Sequence, residues 1–159
     1  MVHRGIATLA GALMLTFLLL SHFEPEFFPL HFYQSLIYLA IILMLFYFED
    51  RYAYMLGMLA PAAWLVLTYA TGLLGGAARQ FSRLMQAQRP TNQISLLAGV
   101  TAILSVLMIV FCFYRWRREF AGLGKGRSTF LVSLGIVVVY YALLVMWFWR
   151  LIPQAPRAG

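Results

Sequence analysis

Apolar residues gather along this chain into five long runs, at 6–20, 32–48, 53–74, 94–114 and 130–149, and none of the five contains a charged side chain. A bilayer core about 30 Å thick is crossed by about 20 apolar residues in helical form. Lipid offers no hydrogen bonds to an exposed backbone, so such runs satisfy their own amides as helices. The pattern predicts an all-α membrane protein, a five-transmembrane-helix bundle with spans at about 6–23, 32–48, 53–75, 94–114 and 130–151. Residues 1–152 then form one integral membrane domain, and the tail 153–159 is expected to be disordered.

The stretches between the runs are short and read differently from one another. The link 21–31 holds Pro25, Pro29, Glu24 and Glu26 among Phe23, Phe27 and Phe28, a mixture suited to a membrane–water boundary. Glu49-Asp50-Arg51-Tyr52 joins spans 2 and 3 so tightly that the two must be antiparallel neighbours, with Asp50 able to cap span 3. Residues 77–89 are too polar to span. As a helix they put Ala77, Ala78, Phe81, Leu84 and Met85 on one side and Arg79, Ser82, Arg83 and Gln86 on the other. That predicts a short amphipathic interfacial helix between spans 3 and 4. Pro90 should end it, and Thr91 or Asn92 can cap the next span.

Small residues mark two helix faces. In span 3 the positions Ala53, Gly57, Ala60, Pro61, Thr68, Thr71, Gly72 and Gly75 fall within about 120° at helical pitch. Pro61 should also kink the helix near Gly57. Span 4 repeats the theme with Ser95, Ala98, Gly99, Ala102, Ser105 and Cys112. Small side chains let two helices approach closely, so Gly57, Pro61, Thr68, Gly72, Gly75, Ser95, Gly99 and Ala102 are the expected helix-packing residues.

Composition agrees with the pattern: 63% of the chain is hydrophobic and only 11% charged. The net charge of +7 comes from basic residues beside the spans, which points to anionic lipid headgroups and not to nucleic acid. Arg115, Arg117, Arg118, Lys125 and Arg127 are the expected headgroup contacts, with Trp116 as an interfacial anchor. Five spans place seven basic residues on the side of the N-terminus and five on the other, so the N-terminus is expected in the cytoplasm. Short loops suit a bacterial inner membrane. The first run lacks a small-x-small site after it and is read as a retained span. The single cysteine, Cys112, excludes an intrachain disulfide and a cysteine-based zinc site.

Little in the sequence carries chemistry. A Ser-His-Asp set, an HExxH motif and a properly spaced P-loop are all missing, and no ionisable group sits at membrane depth to couple protons. His22 and His31 are the candidates for cofactor ligands, since two histidines on neighbouring helices can hold a haem iron; their plainer role is polar interfacial contact. Gln34, Thr68, Thr71, Thr101, Ser105 and Ser133 could line a path for a neutral solute, or bond within and between helices. The expectation is a small non-catalytic membrane protein, without a cofactor, serving as a subunit or assembly component through the faces of spans 3 and 4 and associating with itself or other membrane subunits. The rival reading is a small transporter or channel for a neutral or lipid-like solute. A haem-binding redox subunit is the third.

Overall fold

A computed structural model describes residues 3–47, 50–86, 92–120 and 126–148. Among them the chain is helical, without a strand: α1 (His3–Phe23), a single 3-10 turn (Pro25–Phe27), α2 (Phe28–Tyr47), α3 (Asp50–Ala70), α4 (Leu73–Met85), α5 (Gln93–Phe120) and α6 (Gly126–Phe148). Five of these helices, all but α4, are long and apolar enough to cross a membrane. The expected tail, the Asp50 side chain as a cap, and Pro90, Thr91 and Lys125 lie outside the described residues.

Helices α1, α2, α3 and α5 close into a four-helix ring, in which α1 packs on α2 and α5, and α3 packs on the same two from the other side. Phe17, Tyr38 and Trp64 fill its middle. The Phe17 ring stacks on Tyr38 at 5.6 Å and meets Trp64 edge-on at 5.6 Å, and all three are buried. These offset and edge-to-face arrangements are the ones that the ring quadrupole favours.

Small residues decide how closely α3 and α5 approach. A Cβ on Gly57 would meet Cys112 Sγ at 2.6 Å and Met108 Cε at 3.1 Å, so the helices could not pack this way with a larger residue there. Pro61 is buried inside an unbroken α3.

Helix α6 lies in the groove between α2 and α3. Tyr33 and Tyr140 stack at 4.4 Å and each hydroxyl donates to the other's backbone carbonyl. Tyr141 Oη donates to Ala60 O at 3.1 Å, which fastens α6 to α3. The outward faces of α5 and α6 are broadly apolar, with Ile103, Val106, Val110, Leu131, Val138, Val139 and Met146 exposed. Such a continuous apolar face is rare on a monomer surrounded by water.

Element boundaries depart from the apolar runs in two places. Helix α3 stops at Ala70, although the run continues to residue 74. Gly72 adopts φ +77°, the left-handed conformation that glycine reaches without a Cβ penalty, and the chain turns there into α4. Helix α5 runs on past residue 114 to Phe120, where Arg115 and Glu119 pair at 3.6 Å one turn apart. At its start Asn92 Oδ1 accepts from the amides of Ile94 at 3.0 Å and Ser95 at 3.1 Å, the cap expected from the sequence.

Helix α4 exists as a helix and packs on α5. Ala77 and Gln80 are buried, and the Phe81 ring lies on Gly99 where a side chain would otherwise stand. Arg79, Ser82, Arg83 and Gln86 are exposed, as are Leu84 and Met85, the latter 89% exposed. The inward face is therefore narrower than the apolar pattern implied: Gln80 turns in and Met85 turns out.

Candidate functional site

At the end of the bundle away from the N-terminus, the ring does not close completely. A cavity of about 170 Å³ opens there, lined from each of the helices α1 to α6. Its floor is Phe17 and Trp64, both buried, with Leu20, Leu67 and Thr68 above them. Its walls are Leu30, Ile94, Leu144 and Val145, and its rim carries Leu73 and Thr71, which are exposed. A cavity of about 150 Å³ in a protein core accepts a benzene ring, so this space has room for a small ring or a short alkyl segment.

One corner is polar, and local backbone geometry makes it so. Leu20 O accepts from the Glu24 amide at 2.9 Å, and the turn Pro25–Phe27 then reverses the chain into α2. Glu24 stands before that turn but does not cap it with its side chain. The carboxylate reaches seven residues on, where His31 Nε2 meets Oε2 at 2.9 Å. His31 Nδ1 lies 3.4 Å from Gln34 Oε1, one helical turn along α2. The His31 side chain is 12% exposed and that of Glu24 27%, so both reach solvent only in part. The Gln34 side chain is buried, and this contact is its single hydrogen bond among the described residues. The Thr68 hydroxyl donates to Trp64 O at 2.9 Å and the Thr71 hydroxyl to Thr68 O at 3.2 Å, so each oxygen keeps acceptor capacity.

The sequence candidates scatter across the molecule. His22 is exposed and its ring meets Phe23 edge-on, whereas His31 turns inward with both ring nitrogens engaged. Among the described residues no group of three or more His, Cys, Asp or Glu is placed to hold a metal ion. Gly57 and Gly99 are buried at the α3–α5 and α4–α5 contacts, and Pro61 is buried within α3. Ser95 sits beneath Gly76, with Oγ 3.3 Å from where a Cβ would stand, and Ala102 is half-buried against the core. Thr68 lines the cavity, while Gly72 and Gly75 are exposed at the turn into α4. Arg115 pairs with Glu119, and Arg117, Arg118 and Arg127 are exposed at the opposite end. Thr101, Ser105 and Ser133 show no exposed surface, so none of them lines an opening wide enough for water.

What sequence reasoning missed is the joint placement of Glu24, His31 and Gln34 over an apolar cavity. The spacing of His31 and Gln34, three apart on one helix, was a visible signal. The inward turn of Glu24 was not, because it depends on the bend at Pro25.

The chain matches no family model, no curated protein and no solved structure.

Proposed function

We propose that this protein is a non-catalytic, multi-pass component of a bacterial inner membrane that receives and holds a lipid-like solute at the open end of its bundle. The observation that carries the reading is the apolar cavity of about 170 Å³ with a single polar corner at Glu24, His31 and Gln34. Ligand sites are typically concave, largely apolar and furnished with a few convergent polar groups. Holding is favoured over conduction because the floor is closed by Phe17 and Trp64, with Tyr38 stacked on Phe17, and because Thr101 and Ser105 are sealed in packing. Docking to another subunit through the small-residue faces is the second reading. Gly57 and Gly99, the centres of the two small-residue faces, are occupied within the chain by Cys112, Met108 and Phe81.

In this reading the N-terminus is cytoplasmic. The end that carries Arg4, Arg51, Arg115, Arg117, Arg118 and Arg127 then faces inward, and the cavity opens on the outer side with Glu24 and Glu26. Helix α4 lies in the headgroup layer there. Leu84 and Met85 enter the lipid and Arg79 stays at its surface.

Native mass spectrometry of protein purified in mild detergent tests the function. A discrete bound small amphiphile is expected in the wild type and is lost in Thr68→Phe, which fills the cavity. A wild type without bound amphiphile, and without saturable uptake of an added one, would overturn the reading.

A further inference from the structure

We infer that the cavity selects an uncharged amphiphile with a hydroxyl head over an anionic one of the same chain length. The inference rests on the proposed solute site and assigns its chemical class. Among the described residues no lysine or arginine lines the cavity. Its polar corner is built from Glu24 and His31 at 2.9 Å and from Gln34 at 3.4 Å beyond. A ring protonated on both nitrogens satisfies both contacts and makes the Glu24–His31 pair net neutral. A ring protonated only on Nε2 leaves the pair net negative. In neither state do these groups carry net positive charge, so among the described residues no surplus cation offsets a carboxylate or a phosphate, and Glu24 repels both.

A hydroxyl head suits the groups that are left over. The Gln34 amide nitrogen has no partner among the described residues, and the carboxylate oxygen of Glu24 not facing His31 is an acceptor. Thr68 and Thr71 add acceptor lone pairs, since their protons go to backbone carbonyls. A hydroxyl both donates and accepts, so it satisfies either kind of group without bringing a charge into a half-buried apolar site. An ammonium head is disfavoured on a different ground. Glu24 already has the imidazole as partner, and an ammonium loses more hydration than a hydroxyl on entering.

Trp64 on the cavity floor provides the readout. In a chain with the other three tryptophans, Trp116, Trp147 and Trp149, replaced by Phe, bromine at the chain terminus quenches Trp64 on contact. The probes are ω-bromohexanol, ω-bromohexanoate and ω-bromohexylammonium, short enough for the cavity, titrated into protein in neutral nanodiscs. The alcohol is expected to saturate at a concentration at least about tenfold below the carboxylate. Glu24→Gln, at a partly exposed position outside the helices, removes the charge and keeps an acceptor oxygen, so it should narrow that gap by improving carboxylate binding. Should the triple Phe chain fail to fold, displacement of a retained amphiphile from the wild type, read by native mass spectrometry with the same three probes, gives the same ranking. Carboxylate or ammonium binding as tightly as the alcohol overturns the selectivity and leaves the solute site standing. Failure of all three probes to saturate overturns the site itself.

Discussion

Tyr33 and Tyr140 hold one another by a reciprocal exchange: each hydroxyl donates to the backbone carbonyl of the other residue, and their rings stack at 4.4 Å. This pair joins α6 to α2, which otherwise touch lightly. Removing one hydroxyl, as in Tyr33→Phe or Tyr140→Phe, is expected to cost about 1 kcal/mol. Tyr140→Ala should cost more, because about 0.5–1.5 kcal/mol of ring stacking is lost as well. Thermal unfolding in detergent measures both. Equal stability of Tyr140→Phe and Tyr140→Ala would show that the stacking contributes nothing.

Gly57 and Cys112 set the spacing of α3 and α5. Gly57→Ala places a Cβ against Cys112 Sγ, and overpacking of this kind typically costs about 1–3 kcal/mol. Adding Cys112→Ala removes the sulfur and should restore most of the loss. A double variant no more stable than Gly57→Ala alone would mean that the contact does not govern the approach.

The Phe81 ring on Gly99 anchors α4 to the bundle. Gly99→Val should displace the ring and loosen α4 while the ring of α1, α2, α3 and α5 stays assembled. Trypsin cleavage at Arg79, which is exposed, should then accelerate. Phe81→Ala is expected to give the same acceleration, and combining the two should add little. Cleavage at the wild-type rate in Gly99→Val would sink this account.

Cys112 is the chain's single thiol, and it is buried at the α3–α5 contact. A membrane-permeant maleimide should leave the folded protein unlabelled and react fully once α3 and α5 separate in denaturing detergent. Prompt labelling of the native protein would contradict the packing.

Orientation is testable with cysteines introduced one at a time into a Cys112→Ala background. Ser82 and Arg117 are both exposed and lie at opposite ends of the bundle. With the N-terminus in the cytoplasm, an impermeant thiol reagent added to intact cells should label position 82 and not position 117. The reverse pattern would invert the proposed topology.

Some features of this protein are local, and the sequence determined them alone. Uncharged runs near the length of a bilayer crossing are helices for a reason internal to each run, since the backbone must satisfy itself. The amphipathic α4 and the Asn92 cap likewise depend on residues close together in the chain. Periodicity also marks a face of small residues, as at Gly57 and Gly99. It does not name what the face meets, because the partner side chains, Cys112 and Phe81, come from other helices whose rotation depends on the whole bundle. The early end of α3 at Gly72 was hidden for a related reason: Leu73 and Leu74 continue the apolar run, and only the left-handed backbone at Gly72 turns the chain. The cavity is the furthest from local. Its lining comes from all six helices, and its polar corner exists because the bend at Pro25 carries Glu24 back onto His31. Charge and hydropathy along a chain describe each residue's affinity for solvent, whereas a site requires that residues distant in sequence converge, and only tertiary packing decides that.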